Sequence, residues 1–231
     1  MDSQGEENFS EFYERWISQL EGHLRLLLVA PPQQQHSGEA DFRPIVNKLT
    51  AHHKEYYRIK WASAQNDALP FFAPEWLSPL ENAYLWVTGW KPSLAFRLVE
   101  SLKEARSESG SSLAGLSEDQ VRGIEALRVR IKAEEERVER EMERQQVAMA
   151  DRKMVEVARL DGEAAEVEVA LKGLVAGMEK VMKMADCVRL KTMKGVLDVL
   201  SPMQCVQFLA ATSMMQIQMR KWGKVTNKCC N

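Results

Sequence analysis

One stretch of eighteen residues, Trp76–Ser93, constrains the fold of this chain more than any other part of its sequence. It reads W-L-S-P-L-E-N-A-Y-L-W-V-T-G-W-K-P-S and holds three tryptophans, a tyrosine, two prolines and a glycine. Aromatic side chains bury large apolar areas, and a buried tryptophan needs a partner for its N–H group. We therefore expect this segment to lie at the centre of a helical core. It contains no nucleophile–base pair, metal-ligand cluster or phosphate-binding loop, which indicates an interaction module and not an enzyme.

The composition excludes several classes of protein. The chain has 231 residues, of which 45% are apolar and 28% charged, and its formal net charge is −2. These proportions are typical of a folded globular protein, and they supply no general basic field for nucleic acid or an anionic membrane. The sequence contains no apolar run of about 18 residues, so we predict no membrane-spanning helix. The acidic start M-D-S-Q-G-E-E-N is unlike a signal peptide.

The four cysteines indicate where the protein works. Cys187 and Cys205 are isolated, and Cys229 and Cys230 are adjacent near the end of the chain. This spacing is not a disulfide framework, so it indicates a reducing compartment, the nucleus or the cytoplasm. Cys187 and Cys205 fall on apolar helix faces, which predicts that both are small buried hydrophobic residues.

Apolar residues recur every three or four positions along most of the chain, which predicts an all-α, multi-helix bundle. A long central helix is expected to start at a capping box, Ser117 to Gln120, and to carry the charged run K-A-E-E-E-R-V-E-R-E-M-E-R. The pattern leaves open whether Gly173 and Gly177 interrupt the helix that follows. The predicted helices are 9–29, about 42–68, 80–88, 92–102, 117–160, 164–200 and 202–222.

These helices predict one domain over residues 9–222, with a disordered start at 1–8 and a polar tail at 223–231. Serine, glycine and glutamate at 103–115 predict a mobile loop, and P-P-Q-Q-Q-H-S-G at 31–38 predicts an exposed one. The C-terminal third is rich in methionine, which fits either a core or an adaptable partner groove. Its last helix is expected to pack in the core through Met215, Ile217 and Trp222.

We predict no catalytic site and no metal site. His52 and His53 are adjacent, so their side chains diverge by about 100° on a helix and cannot bind one metal ion together. Either histidine is a candidate haem ligand in an apolar pocket. Basic residues near 183–194 and 220–228 lack an aromatic platform, so they fit solvated faces better than nucleic-acid contacts.

Three blocks of sequence together resemble the plant Delay of Germination domain, which also forms the C-terminal part of the TGA-type bZIP transcription factors. Ala51–Lys60 is similar to H-Y-x-E-x-x-x-x-K, Trp76–Ser93 to W-x-x-P-x-E-R-x-x-L-W-x-G-G-x-R-P-S, and Met184–Gln204 to Q-A-D-x-L-R-x-x-T-L-x-x-x-x-x-I-L-T-x-x-Q. The L-S-E-D-Q box at 116–120 resembles the family's L-[ST]-x-x-Q. The resemblance covers about residues 9–222 and implies a shared structural motif. Its positions in this chain are Trp76, Glu81, Trp86, Gly89, Pro92, Asp186 and Arg189.

The chain departs from the family pattern at four positions. Asn82 and Lys91 stand where arginine is common, Thr88 where glycine is common, and His53 where the family has tyrosine. Lysine keeps the charge of arginine but loses its planar, bidentate fork. No basic region or heptad zipper precedes the domain in this sequence, which favours the stand-alone branch of the family.

The resemblance implies a non-enzymatic plant regulatory protein in seed dormancy, abscisic-acid signalling or development that acts by binding other proteins. In the dormancy branch the partners include type 2C protein phosphatases, bound through the N-terminal region. The matching residues here are Phe12, Tyr13 and Trp16, which are either interface anchors or part of the core. One alternative is a helical sensor that binds haem or a fatty acyl chain. Another is a transcription co-regulator that joins bZIP factors. The long 117–160 helix is also compatible with a homodimer.

Overall fold

Helices make up every regular element in the part of the chain that the structure describes. The computed structural model describes residues 3–29, 42–104, 112–159 and 164–229. An isolated bridge between Trp86 and Gly89 is the one β-type contact among them. The predicted all-α fold class is therefore confirmed. The helices are α1 (Ser3–Val29), α2 (Arg43–Ser63), α3 (Pro79–Ala83), α4 (Leu94–Glu104), α5 (Glu118–Val147), α6 (Arg152–Arg159), α7 (Ala164–Val199) and α8 (Pro202–Cys229).

Helices α5 and α7 form a long antiparallel pair. Leu127 of α5 lies against Gly195 of α7, and Gln145, near the other end of α5, lies against Gly177. Between residues 139 and 180, no side chain that the structure describes is buried. We call this distal part of the pair, with α6, the arm. The other half of the pair packs into the core, where Ile131 and one face of the C-terminal half of α7 are buried.

Aromatic rings of α1, α2 and the segment before α3 form the centre of the core. The centroid of the Phe9 ring lies 4.8 Å from that of Phe71 and 5.0 Å from that of Trp76. Tyr56 of α2 meets the same ring edge-on at 6.1 Å. Tilted and edge-on contacts of this kind are the geometry that aromatic pairs prefer. Helix α8 packs across α1, α2, α3 and α4 and closes the core.

The helix predicted for residues 80–88 ends at Ala83, so this prediction was too long. Trp86 and Gly89 exchange backbone hydrogen bonds of 2.7 and 3.2 Å. Between them Val87 has a φ of 55°, in the left-handed region that a continuing α-helix cannot contain. Gly89 therefore lies in a tight turn and does not end a helix. We call Trp86–Trp90 the tryptophan turn.

Two other helices also differ from their predicted ends. Helix α2 stops at Ser63 and not at Ala68, because the chain turns where Asp67 accepts a hydrogen bond of 2.9 Å from the backbone N–H of Leu69. The helix predicted for 117–160 is divided by a 3-10 segment at Ala148–Ala150 and by Asp151, which is extended. Aspartate is a favoured residue at the start of a helix, and α6 begins directly after it.

Helix α8 continues beyond its predicted end. A Cβ atom on Gly223 would lie 1.9 Å from Ser78 Oγ, so this glycine lets α8 pass close to the start of α3. The residues predicted as a polar tail from 223 belong to α8 as far as Cys229. The predicted helix end at Gly223 was therefore wrong, because glycine here serves a close approach between two helices.

Some residues predicted to be buried lie at the surface. Ile217 is 3% exposed and packs in the core as expected, whereas Met215 and Trp222 are 60% and 57% exposed. Cys205 is buried, but Cys187 is exposed. Helical spacing identifies which residues share a face, and it does not show which faces another helix will cover.

Several predictions concern the ends of α1 and the loops. Helix α1 already begins at Ser3, so residues predicted to be frayed are helical from there. Helix α7 runs through Gly173 and Gly177 without a break. The loop predicted at 31–38 and residues 105–111 of the loop predicted at 103–115 lie outside the described residues. Within the described ranges, no helix combines the length and the apolar character needed to cross a bilayer.

Candidate functional site

A buried ion cluster connects α2 with α7. Oδ1 of Asp186 accepts hydrogen bonds from Lys60 Nζ at 2.9 Å and from Arg189 Nη1 at 2.6 Å. Its Oδ2 accepts one from Trp61 Nε1 at 2.9 Å. Asp186 and Arg189 are three residues apart on α7 and therefore share one face of that helix. The side chains of the three ions are at most 1% exposed, and we call them the Asp186 cluster.

The two cations of the Asp186 cluster also bind the tryptophan turn. Lys60 Nζ donates to the carbonyl oxygen of Thr88 at 3.1 Å and to its hydroxyl at 2.8 Å. Arg189 donates through Nε to the carbonyl oxygen of Trp90 at 2.7 Å and through Nη2 to that of Trp86. Its guanidinium lies 5.3 Å from the centroid of the Trp86 ring, within the range of a cation–π contact. Charged side chains thus donate hydrogen bonds to three carbonyl groups of the turn.

Little space is left at Gly89 for a side chain. A Cβ atom there would lie 3.0 Å from Arg189 Cζ, inside the contact distance that side chains normally keep. Pro92 follows and is buried, and the backbone N–H of Ser93 donates to Glu135 Oε1 of α5 at 2.6 Å. Burial raises the pKa of the Glu135 carboxyl. The segment between α3 and α4 is therefore anchored to both α5 and α7.

The structure brings most residues of the motif implied by the resemblance to one place. Trp86, Gly89, Asp186 and Arg189 are in direct contact, although a hundred residues separate the two halves of the group. Sequence reasoning missed the part played by Lys60. The signal was present, because this lysine falls on the apolar stripe of α2, where a charged residue requires a buried partner.

Electrostatics and burial limit what the Asp186 cluster can do. Burial lowers the pKa of Lys60 to about 8, while the charge of Asp186 opposes this change. Lys60 and Arg189 carry two positive charges, whereas Asp186 carries one negative charge. Carbonyl oxygens of the tryptophan turn compensate the remaining positive charge. All three side chains are enclosed, and a solute would have no access to them. The cluster therefore positions helices.

A second ion cluster holds α1, α3 and α8 together. Arg220 Nη1 donates to the carbonyl oxygen of Trp76 at 2.6 Å and to Glu81 Oε2 at 2.9 Å, and its Nη2 donates to Glu14. Glu81 also forms the capping box of α3 with Ser78. Trp76 and Glu81, the remaining motif positions, therefore belong to this second group and not to the Asp186 cluster.

The predicted partner-binding residues lie mostly inside the molecule. Tyr13 and Trp16 are 5% and 2% exposed, whereas Phe12 is half-buried. Trp16 stacks on the ring of His52 at 4.8 Å and donates to its carbonyl oxygen at 3.0 Å. Tyr13 and Trp16 can therefore contact a partner only if α1 leaves the core. Partner binding by this set stays a prediction, with Phe12 the member that reaches the surface.

The two candidate haem ligands are constrained by their neighbours. Nε2 of His52 lies 3.1 Å from the carbonyl oxygen of Trp16. His53 is 7% exposed, its Nε2 has no hydrogen-bond partner in the described part of the chain, and burial lowers its pKa to about 4. The nearby cavity of about 260 Å³ is lined by His23 and the start of α2, not by either candidate.

That cavity is smaller than ordinary ligand pockets, which span roughly 300–1,000 Å³. In this arrangement the histidines do not fit a haem, and haem or acyl-chain binding stays a prediction. The described residues also contain no group of three or more histidine, cysteine or acidic side chains suited to a metal ion.

Comparisons with known proteins place the chain in a family. A family model described as "Seed dormancy control" matches residues 23–101. The chain is 53% identical to Protein DOG1-like 4 of Arabidopsis thaliana over 94% of its own length and 93% of that protein. It is 27% identical to Protein RESPONSE TO ABA AND SALT 1 of the same plant, over 93% and 94% of the two chains.

A more distant relative is a transcription factor. The chain is 26% identical to Transcription factor TGA6 of Arabidopsis thaliana over 88% of its own length, which corresponds to 59% of that factor. The match to DOG1-like 4 extends over nearly the whole of both chains, and the family model covers the segment from the end of α1 to α4 that contains the tryptophan turn. The chain therefore belongs to the DOG1 family of seed dormancy control.

Proposed function

We propose that this protein is a non-enzymatic regulator in seed dormancy or abscisic-acid signalling, working in the nucleus, the cytoplasm or both, and that it acts by binding other proteins. Its family and the names of its relatives support a regulatory role. The observation that carries the proposal is that the most deeply buried charged side chains serve the fold. Lys60, Asp186 and Arg189 hold helices together and face no solvent. Such a scaffold presents fixed helix faces to partners.

The proposed partner of α1 is a type 2C protein phosphatase. Tyr13 and Trp16 fill the core, so the outer face of α1 consists of Phe12 with polar and charged neighbours such as Glu11 and Arg15. Aromatic anchors surrounded by polar residues are typical of interface hot spots. Phe12 is the residue on which this contact would depend.

A pull-down with purified type 2C phosphatase tests this proposal. We expect Phe12→Ala to weaken binding by about tenfold, as truncation of an interface hot spot does. Tyr84→Ala is the matched control, because Tyr84 is an aromatic residue outside α1 that is 68% exposed. Trp16→Ala is less informative, since it also removes a core ring. Binding by Phe12→Ala that equals the control would exclude α1 as the phosphatase surface.

A second candidate function is supported by the similarity to TGA6. In this proposal the protein joins a bZIP transcription factor on DNA as a co-regulator. An electrophoretic mobility shift with a TGACG-containing duplex separates the two functions. A slower-migrating complex that needs both the bZIP factor and this protein would support co-regulation. An unchanged shift at saturating protein would reject it and leave the phosphatase proposal untouched.

A further inference from the structure

A groove runs along the antiparallel pair α5 and α7. Its volume is about 460 Å³, and its α7 side extends from Ala176 to Lys191. Sixteen helical residues span about 24 Å at 1.5 Å per residue. The floor includes Val138 and Val188, which are 1% and 3% exposed, together with Met184. The groove is therefore long, and the side chains at its base are apolar.

The rim of the groove carries a surplus of positive charge. Four cations line it, Arg137, Lys180, Lys183 and Lys191, against the two carboxylates Glu134 and Glu179. Both carboxylates are already paired, Glu134 with Lys191 at 2.6 Å and Glu179 with Lys183 at 2.5 Å.

The other two cations of the rim are less fully compensated. Lys180 is 3.3 Å from Glu141, a carboxylate that it shares with Arg144. Arg137 is exposed, lies beside the apolar floor and has no ion-pair partner within the described ranges. An approaching acidic group would therefore meet an unneutralised cation at the middle of the groove.

We propose that this groove is a docking site for an acidic amphipathic helix of a partner protein, distinct from the α1 surface. The length accommodates about four helical turns. The accessible apolar side chains of the groove, Met184 and Ala176, receive side chains spaced three and four residues apart, as in other helix-in-groove complexes. The positive rim receives carboxylates that flank this stripe, which gives the complex its orientation. The bound helix would form a three-helix arrangement with α5 and α7.

Cys187 supplies a reporter within the groove. It is exposed and lines the site, and partial desolvation of the thiol together with the charge of Asp186 raises its pKa. The thiol is therefore protonated at neutral pH and is a slow nucleophile. A maleimide at mildly alkaline pH labels it at a measurable rate, and a helix in the groove would cover it. Cys229→Ser with Cys230→Ser removes the adjacent pair near the end of the chain, and Cys205 is buried.

The first test measures binding of a synthetic helix. The probe is a fluorescent peptide of about four turns with leucines on one stripe and glutamates beside it, and the full-length protein is titrated into it. We expect Arg137→Glu to weaken binding by at least about tenfold and added salt to weaken it further. Lys132→Glu is the matched control, because Lys132 is exposed and lies about 140° around α5 from Arg137.

The second test measures the location of the peptide. We expect saturating peptide to slow maleimide labelling of Cys187 by about tenfold, and a lysine version of the peptide to give no protection. The proposal fails if Arg137→Glu and Lys132→Glu bind equally, if the lysine peptide binds as well, or if labelling is unprotected. Dimerisation of the protein that Arg137→Glu abolishes would also overturn it, because the occupant would then be a second copy. None of these results depends on phosphatase binding at α1.

Discussion

At the scale of single residues, Asp186 is the carboxylate to which both cations of its cluster bind. Its two oxygens accept hydrogen bonds from Lys60, Arg189 and the indole N–H of Trp61. Removing one member of a buried ion group leaves the others charged and desolvated, which costs more than the contact itself contributed. The size of this cost can be measured with a substitution that keeps the shape of the side chain.

We predict that Asp186→Asn lowers the free energy of unfolding by about 3–5 kcal/mol, because Lys60 and Arg189 lose their counter-ion. Asp198→Asn is the control, since Asp198 and its partner Lys194 are 59% and 77% exposed. Exposed pairs contribute about 0–1 kcal/mol. Urea unfolding followed by tryptophan fluorescence compares the two variants. Similar small losses in both would show that the cluster does not stabilise the fold.

A second prediction at this scale concerns His53. Burial lowers its pKa from 6.5 to about 4, so the unfolded chain takes up a proton at a pH where the folded chain does not. The free energy of unfolding should therefore fall as the pH drops from about 6.5 towards 4, by up to about 3 kcal/mol from this residue. His53→Gln should reduce that slope in urea titrations. Identical slopes in the two proteins would assign the acid sensitivity to other groups.

At the scale of helices, the sequence predicts which segments are helical better than where they end. The capping box at Ser117 is observed as predicted, because its signal is local. The early end of α3 could not be predicted, because the tryptophan turn depends on Arg189, a hundred residues later. The continuation of α8 through Gly223 likewise depends on Ser78 of another helix. Local signals can be recognised in a single sequence, whereas contacts between distant helices cannot.

Two glycines inside helices should respond in opposite ways to the same substitution. Gly223→Ala places a methyl group against Ser78 and should destabilise the protein by about 1–3 kcal/mol, the range found for overpacking. Gly22→Ala meets no atom within 4 Å and should stabilise α1 by about 0.5–1 kcal/mol. Thermal unfolding by circular dichroism measures both. Equal shifts of the same sign would contradict the close approach of α8 to α3.

At the scale of the whole molecule, the arm differs from the rest of the fold. No described side chain between residues 139 and 180 is buried, whereas the other half of the α5 and α7 pair packs into the core. Segments with little buried apolar surface open locally at a lower free energy than the core does.

We predict that backbone amides of the arm exchange with deuterium well before those around Asp186 and Val196. Native-state hydrogen exchange with mass spectrometry resolves the two regions. An acidic amphipathic peptide bound in the groove should slow exchange most along the groove itself, in residues 134–138 of α5 and 176–191 of α7. Uniform protection over the whole of α5 and α7 would show that the pair opens as one unit.

The Asp186 cluster also bears on how the chain is synthesised. Lys60 and Asp186 are 126 positions apart. The ribosome therefore releases α2 and the tryptophan turn long before Asp186, the counter-ion of Lys60. A nascent or truncated polypeptide that stops at α6 contains the aromatic surface and the lysine without their counter-ion. Such a fragment exposes apolar surface and is a target for chaperones and proteases. The folded protein can therefore form only after α7 has been translated.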